Sequence, residues 1–116
     1  MLPLKHRLKK EKDIKRVIQE GIAFWEKGFL VLKKNENGLG ESRFAFVVSR
    51  RISVKAVVRN KIKRRIREAT RSWLKAIKPG YDVVFFAQKG IVEKNGTEIR
   101  EIVENLLKKA DLLREE

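Results

Sequence analysis

Ten of the 22 residues from Arg50 to Arg71 are lysine or arginine, and Glu68 is the one acid among them. Such groups fix phosphates: arginine offers a planar fork that matches two phosphate oxygens, and lysine a compact point charge. The groups that break bonds are missing. The chain holds one histidine, His6, and no cysteine, so thiolate metal sites, cysteine nucleophiles and disulfides are excluded together. No Ser/His/Asp set or metal-ligand cluster is present. Gly38 and Gly40 belong to a turn-forming run, and no phosphate-binding glycine loop occurs. No pair of acidic residues is placed as acid and base. The chain is therefore expected to carry no catalytic residue and no metal ligand. The protein should bind.

The cations need a scaffold, and the sequence supplies one. Val58, Ile62, Ile66, Ala69 and Trp73 are spaced four, four, three and four, which is the helical period and puts them in one narrow sector. Asn60, Arg64, Arg67 and Arg71 fall on the opposite side. One face can enter a core while the other presents fixed positive charge. A merely solvated face mixes signs, with Glu four residues before Lys. This face is almost wholly positive and repels itself unless something anionic lies against it, so a nucleic acid is the expected partner.

The whole chain agrees. It has 116 residues, 42% of them hydrophobic, and a net charge of +14. That is one domain with a modest core and a polyanionic partner. An anionic membrane surface competes weakly, because the strongest basic helix spends its apolar stripe on the core. Residues 1–12 carry no apolar signal segment, and no apolar run could span a bilayer. The expectation is a soluble, cytoplasmic protein with no membrane partner and no small-molecule substrate.

Along the chain, residues 1–10 read as a basic arm. Glu11–Glu20 is a short helix with Gly21 as its stop. Ile22–Trp25 is a brief apolar run, Phe29–Leu32 a strand extending toward Lys34, and Asn35–Gly40 a hairpin loop. Arg43–Ser49 is a strand with Phe44, Phe46 and Val48 on one side and Ala45 and Val47 on the other. After the Arg50–Lys55 linker the basic helix runs to about Ile77, ended by Pro79-Gly80. Tyr81–Ala87, apolar on both faces except Asp82, is a central strand. Thr97 is the expected cap of a last helix reaching about Ala110, with Ile99, Ile102, Val103, Leu106 and Leu107 in its stripe. Phe44, Phe46, Phe85, Phe86, Trp25 and Trp73 are assigned to the core. The order α-β-β-β-α-β-α gives an α/β sandwich, one small mixed sheet with helices against it.

RNA is favoured over sequence-read duplex DNA. The basic residues surround the helix outside its stripe, which suits phosphate contact. A strand rather than a helix-turn-helix precedes the basic helix.

The run Ala56–Glu68, AVVRNKIKRRIRE, resembles the signature of the bacterial ribonuclease P protein subunit. It follows a strand ending Val48-Ser49 and the basic pair Arg50-Arg51, as in that family. Arg7-Leu8 before a short helix and a glycine, the strand with Asp82-Val83-Val84, and the closing Leu-rich helix fit as well. The resemblance spans nearly the whole chain. It implies the protein component of a ribonucleoprotein endoribonuclease, whose RNA cuts precursor tRNA to make the mature 5′ end. It implies a four-stranded mixed sheet with a left-handed β-α-β crossover through the basic helix, against the general right-handed rule. It assigns contact with the catalytic RNA to Arg59, Asn60, Lys63, Arg64 and Arg67, with Lys61 and Arg65 flanking. A cleft for the single-stranded 5′ leader would use Ile14, Ile18, Leu32 and Arg51. Mg2+ would be required by the holoenzyme through its RNA, with no cofactor on protein side chains. The partners would be ribonuclease P RNA and precursor tRNA.

The sequence departs from that pattern in places. Ile14, Ile18 and Leu32 are aliphatic where relatives often carry aromatics on which bases stack, and ordinary core packing is an equal reading of them. Lys61 stands where arginine is common, and Ser53-Val54-Lys55 replaces a glycine-containing turn. Two other functions fit less well. A ribosomal or ribosome-assembly protein explains charge and size but not the spaced motif. A protein-only nuclease needs a carboxylate cluster that the chain lacks.

Overall fold

Strand Tyr81–Ala87 (β4) is apolar on both faces at Val83, Val84 and Phe85, and all three are fully buried. Only a strand covered on both sides tolerates that pattern, and β4 accordingly lies inside the sheet. In the computed structural model, which describes residues 2–114, the sheet order is β1-β2-β4-β3. β1 is Ile22–Glu26, β2 Leu30–Glu36 and β3 Arg43–Val47. β1 and β4 both pair antiparallel with β2, and β3 lies parallel to β4. The β1–β2 hairpin turns at Gly28, whose φ of +88° favours glycine.

The Asn35–Gly40 loop is therefore not a hairpin. It joins strands that β4 separates, and β2 itself runs through Asn35 to Glu36. The residues of the loop are silent on which strands β4 will separate, although the two-sided apolar pattern of β4 marks it as central.

Helices cover both faces. Leu30, Leu32, Phe44, Val83 and Phe85 share one core with the helix Ala56–Trp73 (α2) and the helix Gly96–Lys109 (α3). α2 contributes Ile62, Ile66 and Ala69, and α3 the full stripe Ile99, Ile102, Val103, Leu106 and Leu107. On the other face the helix Glu11–Glu20 (α1) inserts Val17 over Ala45 and Val84, joined by Leu8. Val17 is α1's one fully buried side chain, so α1 is held through a narrow contact and leaves sheet surface beside it open.

Several ends differ from the sequence reading. α2 closes at Trp73 and tightens into a 3-10 turn over Leu74–Ala76 instead of reaching Ile77. α3 is capped by Asn95 rather than Thr97. The Asn95 side chain accepts from the Glu98 amide at 2.9 Å, and the Glu98 carboxylate accepts from the Asn95 amide at 3.0 Å. Gly21 has φ −72°, so it is not a left-handed stop. A Cβ there would sit 2.4 Å from the Val17 carbonyl oxygen and 3.0 Å from that of Lys34. Close approach, not turn geometry, requires glycine.

The N-terminal arm is packed rather than loose. Leu2 and Leu8 are buried, and the Leu8 amide donates to the Phe44 carbonyl at 2.9 Å. This covers part of the β3 edge, which would otherwise offer unpaired backbone groups. His6 Nδ1 donates to the Ser42 carbonyl at 2.8 Å. Of the aromatics assigned to the core, Trp25 is the exception, with 54% of its surface exposed on edge strand β1.

Candidate nucleic-acid interface

Burial of Ile62, Ile66 and Ala69 fixes the rotation of α2, and rotation determines which cations meet solvent. Asn60, Lys61, Lys63, Arg64 and Arg67 line one shallow groove of about 510 Å³, with Val57 at its side. Among the described residues none of these four cations has a hydrogen-bonded or ionic protein partner. Elsewhere the surface is mixed. Lys9, Lys10, Lys12, Lys27, Lys89 and Arg100 also lack a carboxylate partner among the described residues, whereas Lys5, Lys15, Arg16, Arg43, Lys78, Lys94, Lys108 and Lys109 have one. None of the ten cations between Arg50 and Arg71 does so among the described residues. Positive charge is thus concentrated where the protein does not neutralise it, which is the footprint of a polyanion.

The other two residues selected on α2 have inward tasks. Arg59 Nη1 donates to the carbonyls of Ser53 and Val54, at 3.0 and 2.9 Å, and ties the first turn of α2 to the linker. Arg65 Nη1 donates to the Lys94 carbonyl at 3.0 Å and faces the entry to α3. Both keep their charge. Neither lines the groove that holds the other five.

The residues chosen for a leader cleft separate. Ile14 lines a second groove, of about 320 Å³, whose floor includes Ala45 and Val47 and whose far wall is Lys63 and Arg67. One apolar position of α1 thereby faces two cations of α2 across the β3 edge. Ile18 is 40% exposed on α1. Arg51 is exposed in the β3–α2 linker, outside both grooves. Leu32 takes the second of its two expected roles, ordinary core packing. It is 0% exposed and sits opposite Phe85, beneath α2 and α3. Strand alternation sends Val31 and Lys33 to the α1 face instead, where Lys33 Nζ donates to the Ile18 carbonyl at 2.9 Å. Ala45 and Val47 were missed as groove residues, although the alternation of β3 had already put them opposite Phe44 and Phe46.

One buried ionic cluster stiffens the sheet beside these grooves. Arg43 Nε and Nη2 each donate at 2.8 Å to Asp82, and Asn37 Nδ2 donates to the same carboxylate at 3.0 Å. The hydrogen bonds to Asp82 raise the guanidinium pKa of Arg43. No group of three or more His, Asp or Glu residues among the described residues could hold a metal ion. No described helix is long and apolar enough to cross a membrane.

Known proteins share this arrangement. The family model for ribonuclease P matches residues 2–111. The ribonuclease P protein component of Caldanaerobacter subterraneus is 38% identical over 109 residues, covering 94% of this chain and 92% of that one. That of Clostridium kluyveri is 40% identical over 114 residues, covering 92% and 96%. Among solved structures, the Staphylococcus aureus ribonuclease P protein superposes with a TM-score of 0.85 at 27% identity, covering 94% and 98%. The Thermotoga maritima protein gives 0.80 at 32%, covering 89% and 96%. The ribosomal alternative finds no support among these relatives. With its mixed sheet, its uncompensated basic helix and a match running almost end to end, the chain belongs to the bacterial ribonuclease P protein family, the protein components of a tRNA-processing ribonuclease.

Proposed function

We propose that the protein is the non-catalytic subunit of its ribonuclease P, binding the enzyme's RNA through the exposed face of α2 while the RNA carries out the cleavage. The observation that carries this is the unpaired set Lys61, Lys63, Arg64 and Arg67 on a helix whose opposite face is locked into the core. Rigid placement matters because cations already held in position lose little freedom when phosphates arrive. Among the described residues no group of three or more His, Asp or Glu could hold a metal ion. Mg2+ would be held by RNA, and no step is assigned to it on the protein. Cytoplasmic action follows from the same reading.

The 5′ leader of precursor tRNA would lie in the groove lined by Ile14 and the pair Lys63–Arg67, and the exposed Ile18 and Arg51 would meet it outside that groove. Ile14, Ala45 and Val47 supply an apolar floor, and the two cations meet the backbone. Leu32, sealed beneath α2 and α3, has no part in it.

Reconstitution tests the reading. The purified protein should leave precursor tRNA intact. Added to a ribonuclease P RNA at low Mg2+, it should raise 5′ cleavage well above that of RNA alone. Equal cleavage with and without protein would exclude the subunit role, and cleavage by protein alone would exclude the non-catalytic one.

A further inference from the structure

A cavity of about 630 Å³ opens past the C-terminal end of α2, between the N-terminal arm and the loop entering β3. Its size lies within the roughly 300–1,000 Å³ of ligand pockets. Its polar wall carries Lys5, His6, Arg71, Lys75 and Arg114, with Glu41 as the one acidic side chain lining it among the described residues. Glu41 is already engaged, 3.6 Å from Lys5 Nζ. Arg71 and Lys75 are exposed and have no ion pair among the described residues. The floor is apolar and built from Phe44, Leu74 and Ile77. Because His6 Nδ1 is committed to the Ser42 carbonyl, the ring is held in place and Nε2 is its remaining polar atom.

We infer that this cavity is a further RNA-binding site, separate from the α2 face and the leader groove, one that takes a single unpaired nucleotide. Cations surround a place for phosphate, and the apolar floor suits a sugar and base rather than a bare anion. The cavity is too small for a duplex. Arg71 links it to the first interface, since Asn60, Arg64, Arg67 and Arg71 form one row. At 1.5 Å per residue that row is about 16 Å long. A strand lying along α2 would run off its end into this cavity. In that continuity the inference rests on α2 being an RNA-binding face. Occupancy of the cavity is a separate observable.

The chain's only histidine reports on the site. Its imidazole proton resonances need no assignment. A short oligouridylate should shift them in the intact protein. The shift should persist in Arg64→Ala/Arg67→Ala and be lost in Arg71→Gln/Lys75→Gln. The salt slope of oligouridylate binding should fall by about 1 for each cation removed from the cavity. The inference is overturned if saturating oligouridylate leaves the His6 signals unmoved, or if Arg71→Gln/Lys75→Gln retains the full shift. It is also overturned if inorganic phosphate reproduces that shift at the same concentration. Failure of the α2 reading would show differently, as unchanged affinity of Arg64→Ala/Arg67→Ala for ribonuclease P RNA.

Discussion

Replacing Arg64 and Arg67 by alanine separates a positioned cation from bulk charge. Both side chains line the open groove of α2 and have no hydrogen bond or ion pair among the described residues, so their removal breaks no internal polar contact. Each phosphate neutralised contributes roughly 0.7–0.9 to the slope of log K against log salt. Losing two should flatten the slope by about 1.4–1.8. Each arginine–phosphate contact is worth about 1 kcal/mol, below the usual range for charged hydrogen bonds because both partners stay partly hydrated. The pair then costs about 2 kcal/mol, or about 30-fold in affinity. Lys108→Ala/Lys109→Ala is the matched control, since either double variant takes the net charge from +14 to +12. These lysines are already engaged, Lys108 with Glu104 and Lys109 with Glu26, each at 2.8 Å. The control should lose no more than about threefold, a rim-charge effect. Fluorescence anisotropy with a ribonuclease P RNA across a salt series reads both quantities. Equal losses in the two variants would refute the argument that position, rather than total charge, makes the interface.

Two further predictions concern the scaffold. Asp82→Ala leaves Arg43 and Asn37 facing a vacated carboxylate site and should cost about 3 kcal/mol in urea unfolding. That is the lower end for a broken buried pair, because the Arg43 side chain is 22% exposed and Asp13 lies 3.6 Å away; a loss below about 1 kcal/mol would contradict it. The hydrogen bond from Lys109 holds the Glu26 carboxyl below its ordinary value near 4.5. A depressed carboxylate pKa stabilises above the unfolded value, and the gain disappears as pH falls through the folded value. Glu26→Gln should therefore be less stable than the parent at pH 7, by less than about 1 kcal/mol for so accessible a pair, and indistinguishable once Glu26 is protonated. A difference that persists in acid would refute that origin.

The two faces of α2 were legible because a helix carries its burial pattern in its own period. The same holds for the α3 stripe and for β4, whose unbroken apolar run marks a central strand. Strand order was not legible, since nothing local to Asn35–Gly40 says that β4 will enter between β2 and β3. The choice between the two readings of Leu32 was open for a related reason. Alternation shows that Leu30 and Leu32 share a side, but which side meets α1 depends on the finished topology. Arg59 and Arg65 belong to the right helix, yet their engagement depends on carbonyls at Ser53, Val54 and Lys94 presented by irregular backbone. At the arm, a dense run of charge hid the two buried leucines, Leu2 and Leu8. The Asn95–Glu98 box was readable in principle, and Thr97 obscured it by being an equally good cap type.

Crosslinking tests most directly whether RNA lies against the exposed face of α2. The chain contains no cysteine, so a single introduced cysteine carries a photoactive group at one known place. Asn60→Cys puts that group in the cationic groove, and Glu101→Cys puts it on the exposed side of α3. With ribonuclease P RNA bound and illuminated, the account predicts strong protein–RNA crosslinks from position 60 and background levels from position 101. Comparable yields from both positions, or a higher yield from 101, would contradict it.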